Sequence, residues 1–268
     1  MMKNAQNDYI LYAFGTRGSR PVHGRKFEVF GGQTTCFVIK HKKHAIVVDC
    51  GTGLFDAEAL LSDCDIIDIV FTHVHYDHVL GLLDFSIFPK NARINLIGTF
   101  KSWLGYDTID DFYRHPFWPV QPRIGMLCEI TNDGHSYNLS DGISLQAYNG
   151  NHPDNGNILI LTLNGKRVCF LFDFESNKDF DFSILKNTSF LVFDGMYDDT
   201  EISEHFGWGH STFQEGCRLA AVYGCKELLI THHNPKNNDD KLLELEQKAK
   251  LIYPNTRFVR AGDLFVVE

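Results

Sequence analysis

A chain of 268 residues with 44% hydrophobic and 22% charged residues is long enough to bury a large core as one α/β unit. Its formal net charge of -9 gives no basic footprint for gripping a long nucleic acid, and no apolar stretch approaches the length of a membrane span. No secretory signal is visible, because the apolar run at residues 9–14 is too short for one, and seven cysteines without a CxxC pair read as reduced thiols of a cytoplasmic protein.

Taken in chain order, runs rich in Val, Ile, Phe and Tyr predict strands over residues 9–15, 36–40, 45–50 and 67–72. Gly51-Thr52-Gly53 breaks the pattern, and residues 54–61 read as a helix, as do residues 79–85, before a strand at 93–98. Residues 99–123 are different in kind. They hold Trp103, Tyr106, Phe112, Tyr113, Phe117 and Trp118 among Pro116, Pro119 and Pro122, with no period, which suits either a packed loop or a substrate lid. Strands resume at 143–149, 158–163, 168–172 and 190–193. Residues 212–223 fit an amphipathic helix with Phe213, Cys217, Ala220 and Ala221 on one face, and 227–231 fit a strand. A helix over 239–251 spaces Leu242, Leu243, Leu245 and Ala249 for burial, and strands at 257–259 and 264–267 close the chain. No linker divides residues 1–268, so they are expected to form a single domain. The strands come in antiparallel-looking runs, each half ending in helices. That order predicts an α/β fold, two sheets packed face to face with helices outside, a four-layer αββα sandwich.

The chemistry concentrates where the strand ending at Thr72 runs into His73-Val74-His75-Tyr76-Asp77-His78. Imidazole and carboxylate suit zinc, iron or manganese. His73 and His75, two apart in an extended turn, can face the same way, while Asp77 and His78 can serve a second ion. More ligands are needed, and His152, Asp173 and His232 each stand where a predicted strand stops. A carboxylate at the end of the apolar run 168–172 is costly to bury unless it meets a cation.

The pattern HxHxDH followed by a later His, Asp and His resembles the metallo-β-lactamase superfamily, and the resemblance extends over essentially the whole chain. It implies that His73, His75 and His152 hold a first metal, that Asp77, His78 and His232 hold a second, and that Asp173 bridges them. The commonest true metallo-β-lactamases place Cys where Asp173 stands, flavodiiron proteins place Glu where His75 stands, and glyoxalase II usually ends in a helical extension where this chain ends in strands. Phe14-Gly15-Thr16-Arg17-Gly18-Ser19, Gly31-Gly32-Gln33-Thr34-Thr35, Gly207-Trp208-Gly209-His210-Ser211-Thr212 and Thr231-His232-His233-Asn234-Pro235 instead resemble ribonuclease Z-like and cyclic-nucleotide phosphodiesterase-like members. Ribonuclease Z itself typically carries a tRNA-gripping arm between the ligands matching His152 and Asp173, and here only residues 153–172 intervene.

The expected activity is hydrolysis of small cyclic nucleotides or related phosphodiesters, with two divalent ions per chain, zinc by default and manganese or iron as alternatives. Two cations sharing a hydroxide would lower its pKa and hold it for attack. Asp77 and Asp173 would fix the metals, and Asp173 would also orient the nucleophile. His210, just ahead of an apparent helix N-terminus, would protonate the leaving oxygen or steady the phosphate. Arg17 and Arg20 suit either a phosphate or a nearby carboxylate. His233 is expected to support His232, and His115 to pack in the aromatic loop. His23, His41, His44, His135 and His205 are expected on the surface or in loops. The expected partner is a small phosphodiester, with no long nucleic acid and no membrane, and a homodimer is a compatible assembly. Two other readings stand beside this one: an acyl hydrolase (lactonase or thioesterase) using the same metals, and a non-enzymatic metal-dependent carrier.

Overall fold

In the computed structural model, which describes residues 8–101, 116, 119, 124–140, 142–153, 155–176 and 179–268, two seven-stranded sheets pack face to face. The first has strand order β14-β1-β2-β3-β4-β5-β6, built from β1 (Tyr9–Gly15), β2 (Cys36–His41), β3 (His44–Val48), β4 (Ile66–Val70), β5 (Arg93–Gly98), β6 (Met126–Glu129) and β14 (Leu264–Val267). The second has order β13-β12-β11-β10-β9-β8-β7, built from β7 (Asp133–Asn138), β8 (Ile143–Asn149), β9 (Asn157–Leu163), β10 (Lys166–Leu171), β11 (Thr188–Asp194), β12 (Glu227–Thr231) and β13 (Thr256–Phe258). The described α-helices are α1 (Glu58–Leu61), α2 (Tyr76–Val79), α3 (Phe213–Tyr223) and α4 (Asp239–Ile252). Most of the aromatic segment predicted as loop or lid, including Phe117, Trp118 and His115, lies outside the described residues.

The strand periodicity explains the layering. Alternate residues of a strand face opposite sides. In β2, Phe37 and Ile39 enter the core between the sheets with Leu159, Leu161 and Phe170, while Cys36 and Val38 face an outer core with Leu54 and Leu61. On the second sheet, Ile160, Leu191 and Ile230 face outward onto Phe213, Leu219, Leu242 and Leu245 of α3 and α4. Three apolar layers separate the four structural ones, so the αββα sandwich is the observed architecture.

Pairing corrects the antiparallel reading. The ladders β3-β4-β5-β6 and β10-β11-β12-β13 are parallel. Runs such as Ala45-Ile46-Val47-Val48 are apolar on both faces, the mark of parallel strands buried on both sides, and helices α1, α3 and α4 supply crossovers between them. β6 and β7 were not expected, because as partly exposed edge strands they carry no apolar run.

The helices are also corrected in detail. The helix predicted over 54–61 is a 3₁₀ turn at Thr52–Ala57 followed by the single α-turn α1, and the one predicted over 79–85 is a 3₁₀ turn at Leu80–Leu83 preceded by the single α-turn α2. α3 begins one residue later than predicted because Thr212 is its N-cap, accepting from the Glu215 amide at 3.2 Å. Leu243 and Ala221 are exposed, each one position off its helix's buried stripe. His41 and His44 are buried, against expectation. His41 stacks on Tyr9 at 4.4 Å between ring centroids. His44 pairs through Nε2 with Asp68 Oδ2 at 2.9 Å, and its Nδ1 lies 2.8 Å from Ser140 Oγ. His23 and His135 are exposed and His205 is half-buried.

The chain leaves β3, β4, β8, β10, β11 and β12 at one edge of the sandwich, where the strand ends and the residues after them deliver Asp49, His73, His152, Asp173, Asp194 and His232 to one place. No described helix is long and apolar enough to cross a membrane.

Candidate metal centre

The segment after β4 is held from below by a buried carboxylate. Asp49 Oδ1 accepts from the Thr72 amide at 2.8 Å, and Asp49 Oδ2 accepts from Thr72 Oγ1 at 2.6 Å. The same Oδ2 lies 2.7 Å from His78 Nδ1. Burial pushes the Asp49 carboxyl up, against the pull of His78 and Thr72. His75 is extended, with φ -63° and ψ 152°, and ends the loop as the residue before α2. Asp77 and His78 therefore stand on the first helical turn, and both are buried.

The seven residues singled out as ligands converge into two sets. His73, His75, His152 and Asp173 bring their ligand atoms within 4.8 Å of one another, and so do Asp77, His78, Asp173 and His232. Asp173 belongs to both and presents one oxygen to each. Its Oδ2 lies 3.5 Å from His73 Nε2 and 4.0 Å from His152 Nε2. Its Oδ1 lies 3.2 Å from His78 Nε2 and 2.9 Å from His232 Nε2. Asp77 Oδ2 closes the second set, 3.4 Å from His78 Nε2 and 3.3 Å from His232 Nε2.

These donors fit metal ions. His152 Nδ1 donates to the Gly209 carbonyl at 3.0 Å, and His78 Nδ1 donates to Asp49, so each ring turns Nε2 toward the cluster. His152 Nε2 then meets His75 Nδ1 at only 3.3 Å, and His78 Nε2 meets His232 Nε2 at 3.3 Å. Nitrogens that close need a shared proton or a cation between them. His73 Nε2 is buried without a hydrogen bond, a costly state for a polar atom unless something else binds it. Protonation equilibria report the same demand. Burial would lower His232, but Asp173, Asp194 and Asp77 overcome it and raise it to about 10; His78 is raised by the same kind of contest. His73 and His152 are lowered, by burial first, and stay neutral as ligands must.

The backbone is strained to achieve this. Among the described residues, eight non-glycine residues have positive φ, and four of them, Ser19, Asp49, Asp173 and His232, build the centre. Such conformations cost about 1–3 kcal/mol each and persist where the surroundings enforce them. Ser19 donates its amide to Asp77 Oδ2 at 2.6 Å. The preceding Gly18 has no room for a side chain, since a Cβ there would stand 2.4 Å from the His232 ring.

The metallo-beta-lactamase superfamily model matches residues 29–126. A ribonuclease Z of Gemmatimonas aurantiaca is 29% identical over 94% of this chain and 94% of its own length. The crystal structure of human tRNase Z, short form, has a TM-score of 0.68 at 18% identity and covers 97% of this chain and 99% of that one. The structure of a diphosphatase from the PhnP family has a TM-score of 0.74 at 18% identity, over 97% of this chain and 98% of that one. The chain has the metallo-β-lactamase fold. Its relatives include phosphodiesterase-branch members of that superfamily, which supports a metal-dependent hydrolase.

Beside the metallo-β-lactamase ligand cluster stands His210, whose ring centroid is 5.1 Å from that of His232 and 5.8 Å from that of His152. Its Nδ1 donates to Asp194 Oδ2 at 2.8 Å, leaving Nε2 on the other edge of the ring. Burial disfavours its charged form, yet the Asp194 charge and hydrogen bond outweigh burial and raise its pKa. Asp173, Asp194, His210 and His232 also lie within ligand reach of one another. Asp194 is already committed, however, with Oδ2 on His210 and Oδ1 on the Met196 amide at 3.0 Å, so it acts as the holder of His210.

The other candidates fall outside the centre. Arg17 is fully buried and works as a strut, donating to the carbonyls of Gly31 and Asn237 at 2.8 Å each. Arg20 is exposed. His233 is buried against Phe258 and donates Nε2 to the Val259 carbonyl at 2.8 Å, with burial and Arg17 lowering it to about 3. Asp49, Asp194 and Glu175 were missed. The signal that flagged Asp173, a carboxylate ending an apolar run, is equally present in Ile46-Val47-Val48-Asp49 and Leu191-Val192-Phe193-Asp194. Glu175 carries no such signal; its Oε2 accepts from the amides of Gly207 at 2.8 Å and Gly209 at 3.1 Å.

Proposed function

We propose that this protein is a dinuclear metal-dependent phosphodiesterase of small cyclic nucleotides or related diesters, with His73, His75 and His152 holding one ion, Asp77, His78 and His232 the other, and Asp173 both. The observation that carries the reading is the His210–Asp194 pair set beside an Asp173-centred cluster. When bound, two divalent ions supply Lewis-acid charge and lower the pKa of a water. The chain's own groups do the rest. Asp49 and Asp194 fix the orientation of His78 and His210. His210, whose pKa Asp194 raises, gives its proton to the departing alkoxide oxygen, and Asp173 keeps the cluster's two halves in register.

A cavity of about 410 Å³ lined by Ser19, Val74, His75, Tyr76, Asp77, Asp173 and His210 suits a small substrate. The tight β9–β10 hairpin fills the stretch where a nucleic-acid-gripping arm would sit, which also favours small diesters over tRNA. The names of the relatives, a ribonuclease Z and a diphosphatase among them, agree with phosphate chemistry. A lactonase or thioesterase would have less use for an acid that protonates a poor alkoxide. The test is a hydrolysis screen of protein loaded with zinc, manganese or iron against bis(p-nitrophenyl) phosphate, cyclic mononucleotides and a lactone panel. Turnover of the diesters, and little or none of the lactones, is expected. Lactone turnover without diester turnover would replace this reading with the acyl one.

A further inference from the structure

Four aromatic side chains are exposed among the described residues, Phe55, Tyr76, Phe206 and Trp208, and two of them adjoin the metal centre in sequence. Tyr76, 74% exposed, lies between His75 and Asp77 and lines the cavity. Trp208, 59% exposed, lies two residues before His210. That separation limits their Cα atoms to about 7 Å.

The backbone that carries Trp208 is fixed on both sides. Gly207 and Gly209 flank it at φ 85° and 80°, and both amides are held by the Glu175 carboxylate. Glu175 is itself tied to the His152 loop, its amide donating to the Asn151 carbonyl at 3.0 Å and its carbonyl accepting from Asn151 Nδ2 at 2.9 Å. The Gly209 carbonyl receives His152 Nδ1, and a Cβ at 209 would stand 2.0 Å from that nitrogen. The indole is braced in turn. Its ring meets His205 edge-on at 4.9 Å, His205 stacks on Tyr197 at 4.1 Å, and Tyr197 lies 6.0 Å from His210. A large apolar ring held this firmly yet 59% exposed leaves much of its surface available to a ligand.

We propose that Trp208 is the stacking platform for the base of a nucleoside phosphodiester, with Tyr76, which follows β4 of the other sheet, as the second aromatic wall. This rests on the phosphodiesterase reading and narrows its substrate class to diesters bearing a flat aromatic group near the phosphate. Stacking tolerates any base, because each offers a π-face. The loop therefore sets selection for a nucleoside over a plain alkyl diester, without fixing which nucleoside.

Steady-state kinetics of the metal-loaded protein on a nucleoside cyclic monophosphate and on glycerol 1,2-cyclic phosphate test the assignment. Trp208→Ala is expected to raise KM for the nucleotide by roughly 5- to 150-fold, the equivalent of one lost base stack. KM for glycerol cyclic phosphate and metal content should stay as in the wild type, and Trp208→Phe should keep most of the affinity. Unchanged KM for the nucleotide, or an equal rise for both substrates, overturns the platform while leaving the diesterase intact. If neither diester is turned over, the phosphodiesterase reading itself falls. The platform is then judged from binding: in a Trp103→Phe/Trp118→Phe variant Trp208 is the sole tryptophan. A nucleoside monophosphate, and not glycerol phosphate, should quench its fluorescence; no quenching overturns the platform.

Discussion

Asp173→Ala is expected to abolish turnover and to reduce bound metal below the wild-type content. The reason lies in the position of the side chain. One carboxylate oxygen faces His73 and His152, the other faces His78 and His232, so a single truncation removes a donor from both sets. It also removes negative charge from a buried site built to hold several positive charges, leaving Asp77 as the remaining carboxylate facing Nε2 of His78 and of His232. Lewis-acid assistance contributes several kcal/mol to the transition state. At 1.36 kcal/mol per tenfold in rate, its loss corresponds to about 10³-fold or more in kcat. Metal content by elemental analysis and turnover of bis(p-nitrophenyl) phosphate check this together. A variant with undiminished metal and normal turnover would show that Asp173 does not bridge.

His210→Ala is expected to leave metal content normal and to lower turnover by roughly 10²–10⁴, the range for loss of a general acid. The loss should depend on the leaving group. The alkoxide of a cyclic nucleotide needs a proton to depart, so that substrate should suffer most. p-Nitrophenolate departs readily without one, so bis(p-nitrophenyl) phosphate should suffer least. The geometry supports this split, since His210 hydrogen-bonds to Asp194, outside the seven-ligand set, and Asp194 raises its pKa against burial. Equal losses on both substrates would assign His210 to holding phosphate. No loss on either would remove it from the site and reopen the acyl reading.

Much of this architecture is legible in the chain. The apolar runs of β1, β5, β8, β12 and β14 mark those strands residue for residue, because short runs of β-branched and aromatic residues bounded by breakers have few alternatives. The seven proposed ligands stand out because His and Asp at the ends of apolar strands are expensive without a partner. What escapes is what depends on three-dimensional neighbours. Parallel pairing of β3 with β4 cannot be read from an apolar run that suits either direction. β6 and β7 are concealed by their exposure. His44 looks like a turn histidine until Asp68 and Ser140, far apart in sequence, close around it. Glu175 looks like any surface acid, and only the fold shows two loop amides directed at it.

The most direct measurement is the number of metal ions bound per chain, by elemental analysis of protein purified without chelators and again after reconstitution with zinc, manganese or iron. Two donor sets sharing Asp173 require a value close to two. One ion or none, with no gain on reconstitution, would contradict the dinuclear centre.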